Sequence, residues 1–178
     1  MNASATTDWV LGVTREAMVR LVAHAAKVGL PNTEEFTFRA LFMAAAHDLL
    51  DRPRFQTEWA RFDLLVQLGE HATLIEFKYY LLRRTVGLRG ELLGYKGGAG
   101  LKNEAEFRAC VSKLRNAVLP AGVDDRRLIL LYEGDYTRQS RHSFHLSYGH
   151  LSPGNEYAEV TSLTEGPLEA RVLRIQPR

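Results

Sequence analysis

The segment LIEFKYY, residues 74–80, carries two charged side chains in one of the most apolar parts of the chain. Its composition is typical of a buried strand, in which residues two apart point to the same face of the sheet. Glu76 and Lys78 therefore project side by side. Burial of a charged group is unfavourable unless another group compensates for it. The segment thus predicts a strand whose charged face has a specific partner.

An earlier strand, TEWARFDLLVQLG (residues 57–69), is joined to this one by a short turn, so the two form an antiparallel hairpin. Phe62 lies on one face of the earlier strand, and Asp63 lies on the other, across from Glu76 and Lys78. Two facing carboxylates repel unless a cation lies between them, and a hard divalent ion such as Mg²⁺ prefers oxygen ligands. With an ammonium group beside it, such a site is suited to cutting a phosphodiester.

The rest of the chain alternates between helical and strand patterns, which predicts a mixed α/β fold of packed layers. Residues 8–29 repeat apolar side chains at helical spacing, and residues 31–51 do so after a capping Asn32 or Thr33. A glycine-rich connection follows at residues 86–103, then a helix at 104–118 and a buried strand at 126–134, which the helix joins to the hairpin in a parallel crossover. Three further strands are predicted near the end of the chain, at residues 142–149, 158–163 and 170–175.

Composition and charge narrow the class of protein. The chain of 178 residues is 46% apolar, which is ordinary for a globular domain, and its formal net charge of +2 is too small to indicate a polyanionic partner by itself. Cys110 is the single cysteine, which excludes an internal disulfide and a cysteine-based zinc site. No apolar run approaches the roughly 20 residues of a membrane span. We expect one cytoplasmic domain with no membrane partner.

An acid on one strand and Glu-x-Lys on the next, RFDLLV (residues 61–66) and LIEFKYY, resemble the PD-(D/E)XK nuclease superfamily. The order of the predicted elements is also similar. The resemblance implies a restriction-endonuclease-like α-β-β-β-α-β core at about residues 33–133 of a single domain, 1–178. It implies a short first strand near RFQTEWA (residues 54–60), unless that stretch runs on into the next strand. An extra helix in residues 1–30 and strands in residues 136–178 would extend this core.

The resemblance also implies roles for the charged residues. Asp63 and Glu76 correspond to the metal-binding acids, and Lys78 corresponds to the catalytic lysine. The backbone carbonyl of Phe77 is a further candidate metal ligand. Mg²⁺ is the expected cofactor, and Mn²⁺ is a substitute for it. The chain departs from the superfamily pattern in having Phe62 where many members have proline.

Two further positions in the superfamily pattern are open in this sequence. Many members place a glutamate from the first core helix in the site, and both Glu34 and Glu35 are candidates. Helical spacing puts Glu34 closer to the apolar face of that helix, so we expect Glu34 to be the fourth catalytic residue. The glutamine–tyrosine motif of the later helix is absent, and Lys113 or Arg108 are the candidates to replace it.

Residues 77–115 form a basic sector with nine Lys or Arg residues and three acids. Such a sector is suited to phosphate contacts. We expect a Mg²⁺-dependent nuclease that hydrolyses phosphodiester bonds of DNA by means of a Mg²⁺-activated water. Whether it acts as an endonuclease or an exonuclease is open, as is its assembly as a homo-oligomer or in a larger complex. The alternative is a catalytically inactive module of the same fold that binds nucleic acid or another protein. The expected nucleic-acid-binding residues are Arg83, Arg84, Lys96 and Lys102.

Overall fold

The computed structural model describes residues 8–80, 83–96, 101–119, 122–133 and 157–178, and for residues 83–86, 92, 94–96, 101 and 124 it describes the backbone alone. This part of the chain contains three α-helices, a short 3-10 helix at Leu30–Asn32 and eight strands. The helices are α1 (Trp9–Val28), α2 (Glu35–Leu49) and α3 (Leu101–Asn116). The strands are β1 (Arg54–Trp59), β2 (Phe62–Leu68), β3 (His71–Tyr80), β4 (Arg83–Val86), β5 (Leu92–Lys96), β6 (Val123–Glu133), β7 (Tyr157–Glu165) and β8 (Leu168–Ile175).

Six of the strands form one mixed sheet in the order β1-β2-β3-β6-β8-β7. The first three strands are an antiparallel meander. Helix α3 then leads to β6, which runs parallel to β3, as the predicted crossover requires. Strands β8 and β7 extend the far side by antiparallel pairing. Strands β4 and β5 form a separate two-stranded ribbon.

Helices cover both faces of the sheet, so the fold is of the α/β class, as predicted. Helices α1 and α2 pack on one face, in a core that includes Phe38 and Phe42 of α2 and Phe77 of β3. The Phe42 and Phe77 rings meet edge to face, with centroids 5.3 Å apart. Helix α3 packs on the other face through Phe107 and Leu114. Strand β3 lies between the two cores, which is why residues 72–77 are all buried.

The helix ends follow from local chemistry. Asp8 precedes α1, and its Oδ1 accepts a hydrogen bond of 3.1 Å from the Val10 N–H, which satisfies one of the free donors of the first turn. The other carboxylate oxygen of Asp8 accepts from Nη1 of the buried Arg127 at 2.8 Å, so the cap also fastens the helix to β6. Gly29 ends α1 with a φ of 86°, a conformation that glycine adopts at little cost.

The expected short first strand is confirmed as β1. Its pairing with β2 reaches Trp59 and Phe62, which leaves a two-residue turn. Ala60 and Arg61 in that turn both have positive φ, 48° and 73°, as hairpin turns of this length often require. Neither residue is Gly, Asn or Asp, and for this reason the turn could not be located from sequence.

The predicted strands at residues 158–163 and 170–175 are confirmed as parts of β7 and β8. The predicted strand at residues 142–149 lies outside the described residues. Among the helices that the structure describes, none is both long and apolar enough to cross a membrane.

Candidate active site

The charged residues of the hairpin meet where β2 and β3 separate. The described pairing of these strands runs up to Leu64 and Ile75, and one further step in the same register would place Asp63 opposite Glu76. In place of that backbone pair, the Asp63 carboxylate Oδ2 accepts a hydrogen bond of 2.7 Å from the Phe77 N–H. Strand β3 stays paired with β6 on its other side as far as Tyr80. The edge of β3 beyond Ile75 is therefore bordered by the Asp63 side chain.

Glu76 is the most buried charged side chain at this edge, with 2% of its surface exposed. Loss of water on burial raises the pKa of its carboxyl group to about 7, and the charge of Asp63 acts in the same direction, whereas Lys113 and Lys78 oppose it. Nζ of Lys113 is in ion-pair contact with Oε1 of Glu76. Lys113 is therefore the direct charged partner of the buried Glu76 carboxylate.

Lys78 projects from the same face of β3, as the alternation predicts, and its side chain is 18% exposed. Its Nζ lies 3.9 Å from Oε2 of Glu35. Burial lowers the pKa of Lys78, but the negative charges of Glu35, Asp63 and Glu76, among others, outweigh it, and the net effect is a raised pKa. Lys78 is thus a charged ammonium group at neutral pH. The structure brings Asp63, Glu76 and Lys78 together, as expected.

The expectation that Glu34 faces this site is wrong, because Glu35 does so. Glu34 is the N-cap of α2, its side chain is exposed, and its N–H donates to the Thr37 hydroxyl at 3.3 Å in a capping box. Glu35 begins the helix and points to Lys78. Burial raises the pKa of Glu35, Lys78 lowers it, and Asp63 raises it further, which places this carboxyl group in the electric field of the same cluster.

Arg39, one helical turn after Glu35, was not anticipated from the sequence. Its Nη1 donates to Oε1 of Glu58 on β1 at 2.6 Å and to the Asp63 carbonyl at 3.3 Å. The same nitrogen lies 3.9 Å from Oδ1 of Asp63. Arg39 therefore holds the end of β2 close to α2 and places a positive charge behind the Asp63 carboxylate.

Lys113 and Arg108 on α3 were both candidates for a place near the site, and only Lys113 is there. Arg108 is 65% exposed and forms an ion pair with Glu104 on its own helix at 2.8 Å. Lys113 reaches over to β2 and β3, where its Nζ also donates to the Arg61 carbonyl at 2.7 Å. Lys113 lies beside the apolar face of α3. The sequence gives no signal for its contact with β2 and β3, because that contact depends on how α3 lies on the sheet.

Two acidic side chains of the cluster are of the chemical type that could hold a hard divalent cation. Asp63 lies close enough to the buried Glu76 for its charge to raise the pKa of the Glu76 carboxyl group. Within that part of the chain, no three side chains of His, Cys, Asp or Glu stand close enough together to hold a metal ion. Mg²⁺ commonly uses one or two carboxylates and keeps several waters. Phe77 gives its N–H to Asp63, and the use of its carbonyl as a ligand stays a prediction.

The four residues expected to bind nucleic acid lie beyond the end of β3. Arg83 and Arg84 are on β4, and Lys96 is the last residue of β5 and the cross-strand partner of Arg83. Lys102 is in the first turn of α3, with its side chain 88% exposed and its Nζ 3.9 Å from Glu106. The side chains of the first three lie outside the description, so their contacts with nucleic acid stay a prediction.

Comparison of the chain with protein-family models, with curated proteins and with solved structures finds no match. The residues of the cluster and their geometry are therefore the evidence for what this chain does.

Proposed function

We propose that this protein is a Mg²⁺-dependent nuclease of the PD-(D/E)XK type that hydrolyses phosphodiester bonds, with DNA as its substrate. One observation carries the proposal: Glu76 is 2% exposed, and it lies in one charged cluster with Asp63, Lys78 and Lys113. A buried carboxylate next to a second carboxylate is unfavourable for folding alone. It is the arrangement that a metal-binding site requires.

The arrangement of elements supports the proposal. Helix α2, the meander β1–β2–β3, helix α3 and the parallel strand β6 follow one another in the order that a restriction-endonuclease-like core has. In this proposal Asp63 lies at the end of the second strand of the core, and Glu76 and Lys78 lie on its third strand. Strands β8 and β7 would be an addition to that core on the side away from the site.

In the proposed mechanism, Asp63 and Glu76 would hold the cation, which when bound would supply Lewis-acid activation of the attacking water and of the phosphoryl group. Lys78 carries a positive charge, so it donates a hydrogen bond to the attacking water or to the phosphate and does not act as the base. Glu35 keeps the Lys78 ammonium directed to the open edge of β3. Arg39 holds Asp63 in place by donating a hydrogen bond to the backbone carbonyl of Asp63.

A second function is favoured by a different observation. Each of the two carboxylates already has a cation of the chain nearby, Lys113 for Glu76 and Arg39 for Asp63. If these ion pairs are permanent, the cluster is a structural network. The protein would then be a catalytically inactive module that binds nucleic acid or a protein partner in a larger complex.

The substitution Lys78→Ala tests the proposed nuclease. We expect the wild-type protein to cut plasmid or linear duplex DNA with Mg²⁺ or Mn²⁺, and the variant to lose at least about a hundredfold in rate, because it lacks the positive charge at the reacting phosphate. Its affinity for Mn²⁺, measured by titration calorimetry, should be retained. Single-stranded DNA and RNA serve as comparison substrates.

Two results would contradict the nuclease proposal in different ways. Cleavage by Lys78→Ala at the wild-type rate would mean that the activity comes from another site or from a contaminant. A wild-type protein that neither cuts any of these substrates nor binds Mg²⁺ or Mn²⁺ would favour the inactive module.

A further inference from the structure

Lys113 joins α3 to the candidate metal site through three contacts. Its ammonium is in ion-pair contact with Oε1 of the buried Glu76. It also donates a hydrogen bond of 2.7 Å to the Arg61 carbonyl in the β1–β2 turn, and it lies 4.7 Å from the centre of the Phe62 ring. The side chain itself is 37% exposed, so it reaches this position from the surface.

The contacts with Arg61 and Phe62 do not depend on Glu76. A hydrogen bond to a carbonyl and a position over an aromatic ring are both favourable places for an ammonium group. Lys113 therefore has somewhere to remain if its contact with Glu76 is lost. The contact with Glu76 is the one of the three that a divalent cation bound to this carboxylate would displace.

The charge balance of the site explains why such an arrangement is needed. A carboxylate that is 2% exposed has almost no water to stabilise its charge, and Asp63 beside it carries a charge of the same sign. With a divalent cation bound, this repulsion is removed. Without the cation, the Lys113 ammonium is in ion-pair contact with the Glu76 carboxylate and offsets its charge.

We propose that Lys113 is a positioning residue that neutralises Glu76 while the site holds no divalent cation and withdraws when a cation binds, so that it sets the metal affinity of the site. The inference rests on the proposed metal site. It adds that the ammonium and the metal compete for one carboxylate oxygen. Removal of the Lys113 charge should then tighten metal binding, whereas loss of a residue that helps to hold the metal would weaken it.

The test compares Mn²⁺ affinity, by titration calorimetry, in the wild-type protein and in Lys113→Met, which keeps the length of the side chain and removes its charge. We expect the Kd for Mn²⁺ to fall by about tenfold, within the usual range of coupling between two sites. Lys27→Met is the matched control, because Lys27 is an exposed lysine in the last turn of α1 and has no part in the cluster. Its Kd should equal that of the wild type.

A second measurement separates this role from a purely structural one. In EDTA, Lys113→Met should lower Tm, because Glu76 loses the cation that is in direct contact with it, and addition of Glu76→Gln in the same chain should restore most of the loss. If Lys113→Met is too unstable to study, Lys113→Gln keeps a donor for the Arg61 carbonyl and gives the same comparison.

The possible outcomes distinguish this inference from the proposed function. An unchanged or weakened Mn²⁺ affinity in Lys113→Met, with a wild type that binds Mn²⁺, overturns the competition and leaves the nuclease proposal standing. Binding by Lys113→Met but not by the wild type supports the competition and shows that Lys113 keeps the metal out. No binding by either protein overturns both.

Discussion

Glu76 couples the stability of the fold to pH through its burial. Loss of water raises the pKa of this carboxyl group to about 7 in the folded chain, from an ordinary value of 4.5. Between these two pH values the folded state holds a proton that the unfolded state has released, so stability falls as pH rises. The contribution is fully present below pH 4.5 and is lost as pH passes about 7.

The substitution Glu76→Gln should remove this pH dependence. In EDTA at pH 8 we expect the variant to be more stable than the wild type by about 3 kcal/mol, the value that a shift of this size implies, and the difference should shrink toward zero near pH 4.5. The measurement is urea denaturation of both proteins at several pH values. A residue selected for folding alone would not behave in this way, since its replacement by an uncharged analogue would not stabilise the protein.

Glu70→Gln is the control for that series. Glu70 is exposed in the turn of the same hairpin, so its replacement should leave the difference between variant and wild type independent of pH. An equal pH dependence in Glu76→Gln and the wild type would contradict the burial argument for Glu76.

At the scale of elements, the start of α2 decides which glutamate enters the site. Counting 100° per residue favours Glu34, but this counting assumes that both glutamates are helical. Glu34 has φ −136° and ψ 169°, which is extended backbone, and the helix begins only at Glu35. The capping box between Glu34 and Thr37 fixes that boundary. A boundary shift of one residue is enough to exchange the two side chains between solvent and site.

A matched pair of substitutions tests this assignment. Glu35→Gln should lower the rate of DNA cleavage by about ten- to a hundredfold, because Lys78 loses the charged partner that directs it. A loss of this size is typical when a catalytic group is misplaced by about 1 Å. Glu34→Gln should leave cleavage within about twofold of the wild type, since residue 34 is exposed and its backbone N–H keeps the hydrogen bond to the Thr37 hydroxyl. Initial rates with one DNA substrate and Tm values for both variants provide the comparison. Loss of activity in Glu34→Gln alone would contradict the assignment.

The hairpin of β2 and β3 shows what can be predicted about an element and what cannot. The alternation of apolar and charged residues predicts that Glu76 and Lys78 share a face, and the short turn predicts antiparallel pairing, and both are found. The point where the pairing ends is not encoded in that alternation. It depends on the Asp63 carboxylate, which takes the Phe77 N–H that a continuing strand would have paired.

At the scale of the whole molecule, the layers and the parallel crossover could be predicted, because helix and strand periods differ and a parallel pair requires a long connection. The place of β8 between β6 and β7 could not, since two apolar strands give no signal for their order in a sheet. The same limit applies to Arg39, which the sequence did not indicate, and to Lys113, which the sequence indicated only as an alternative to another residue. Each reaches the site from a helix on a different face of the sheet, and only the packed layers bring the two together.

The distribution of charge over the molecule leads to a prediction about DNA binding. The formal net charge is only +2, so affinity must come from a local basic surface. The ribbon of β4 and β5 follows the end of β3 that carries Lys78, and it places Arg83 and Lys96 opposite each other. Arg52 lies before β1, whose first residue Arg54 pairs with the opposite end of the hairpin. DNA bound at the site would reach the ribbon and not Arg52.

We therefore expect the double substitution Arg83→Ala and Lys96→Ala, made in a Lys78→Ala background to prevent cleavage, to weaken binding of a labelled DNA duplex and to reduce the slope of log affinity against log salt by about two, roughly one for each lost phosphate contact. Fluorescence anisotropy at several salt concentrations measures both quantities. Arg52→Ala in the same background removes one exposed guanidinium, 95% exposed, and should leave affinity and slope unchanged. An equal loss of DNA affinity in the Arg83→Ala/Lys96→Ala protein and in the Arg52→Ala protein would mean that the net charge of the surface holds the DNA. A loss confined to the double substitution would place the duplex across the ribbon, next to Lys78.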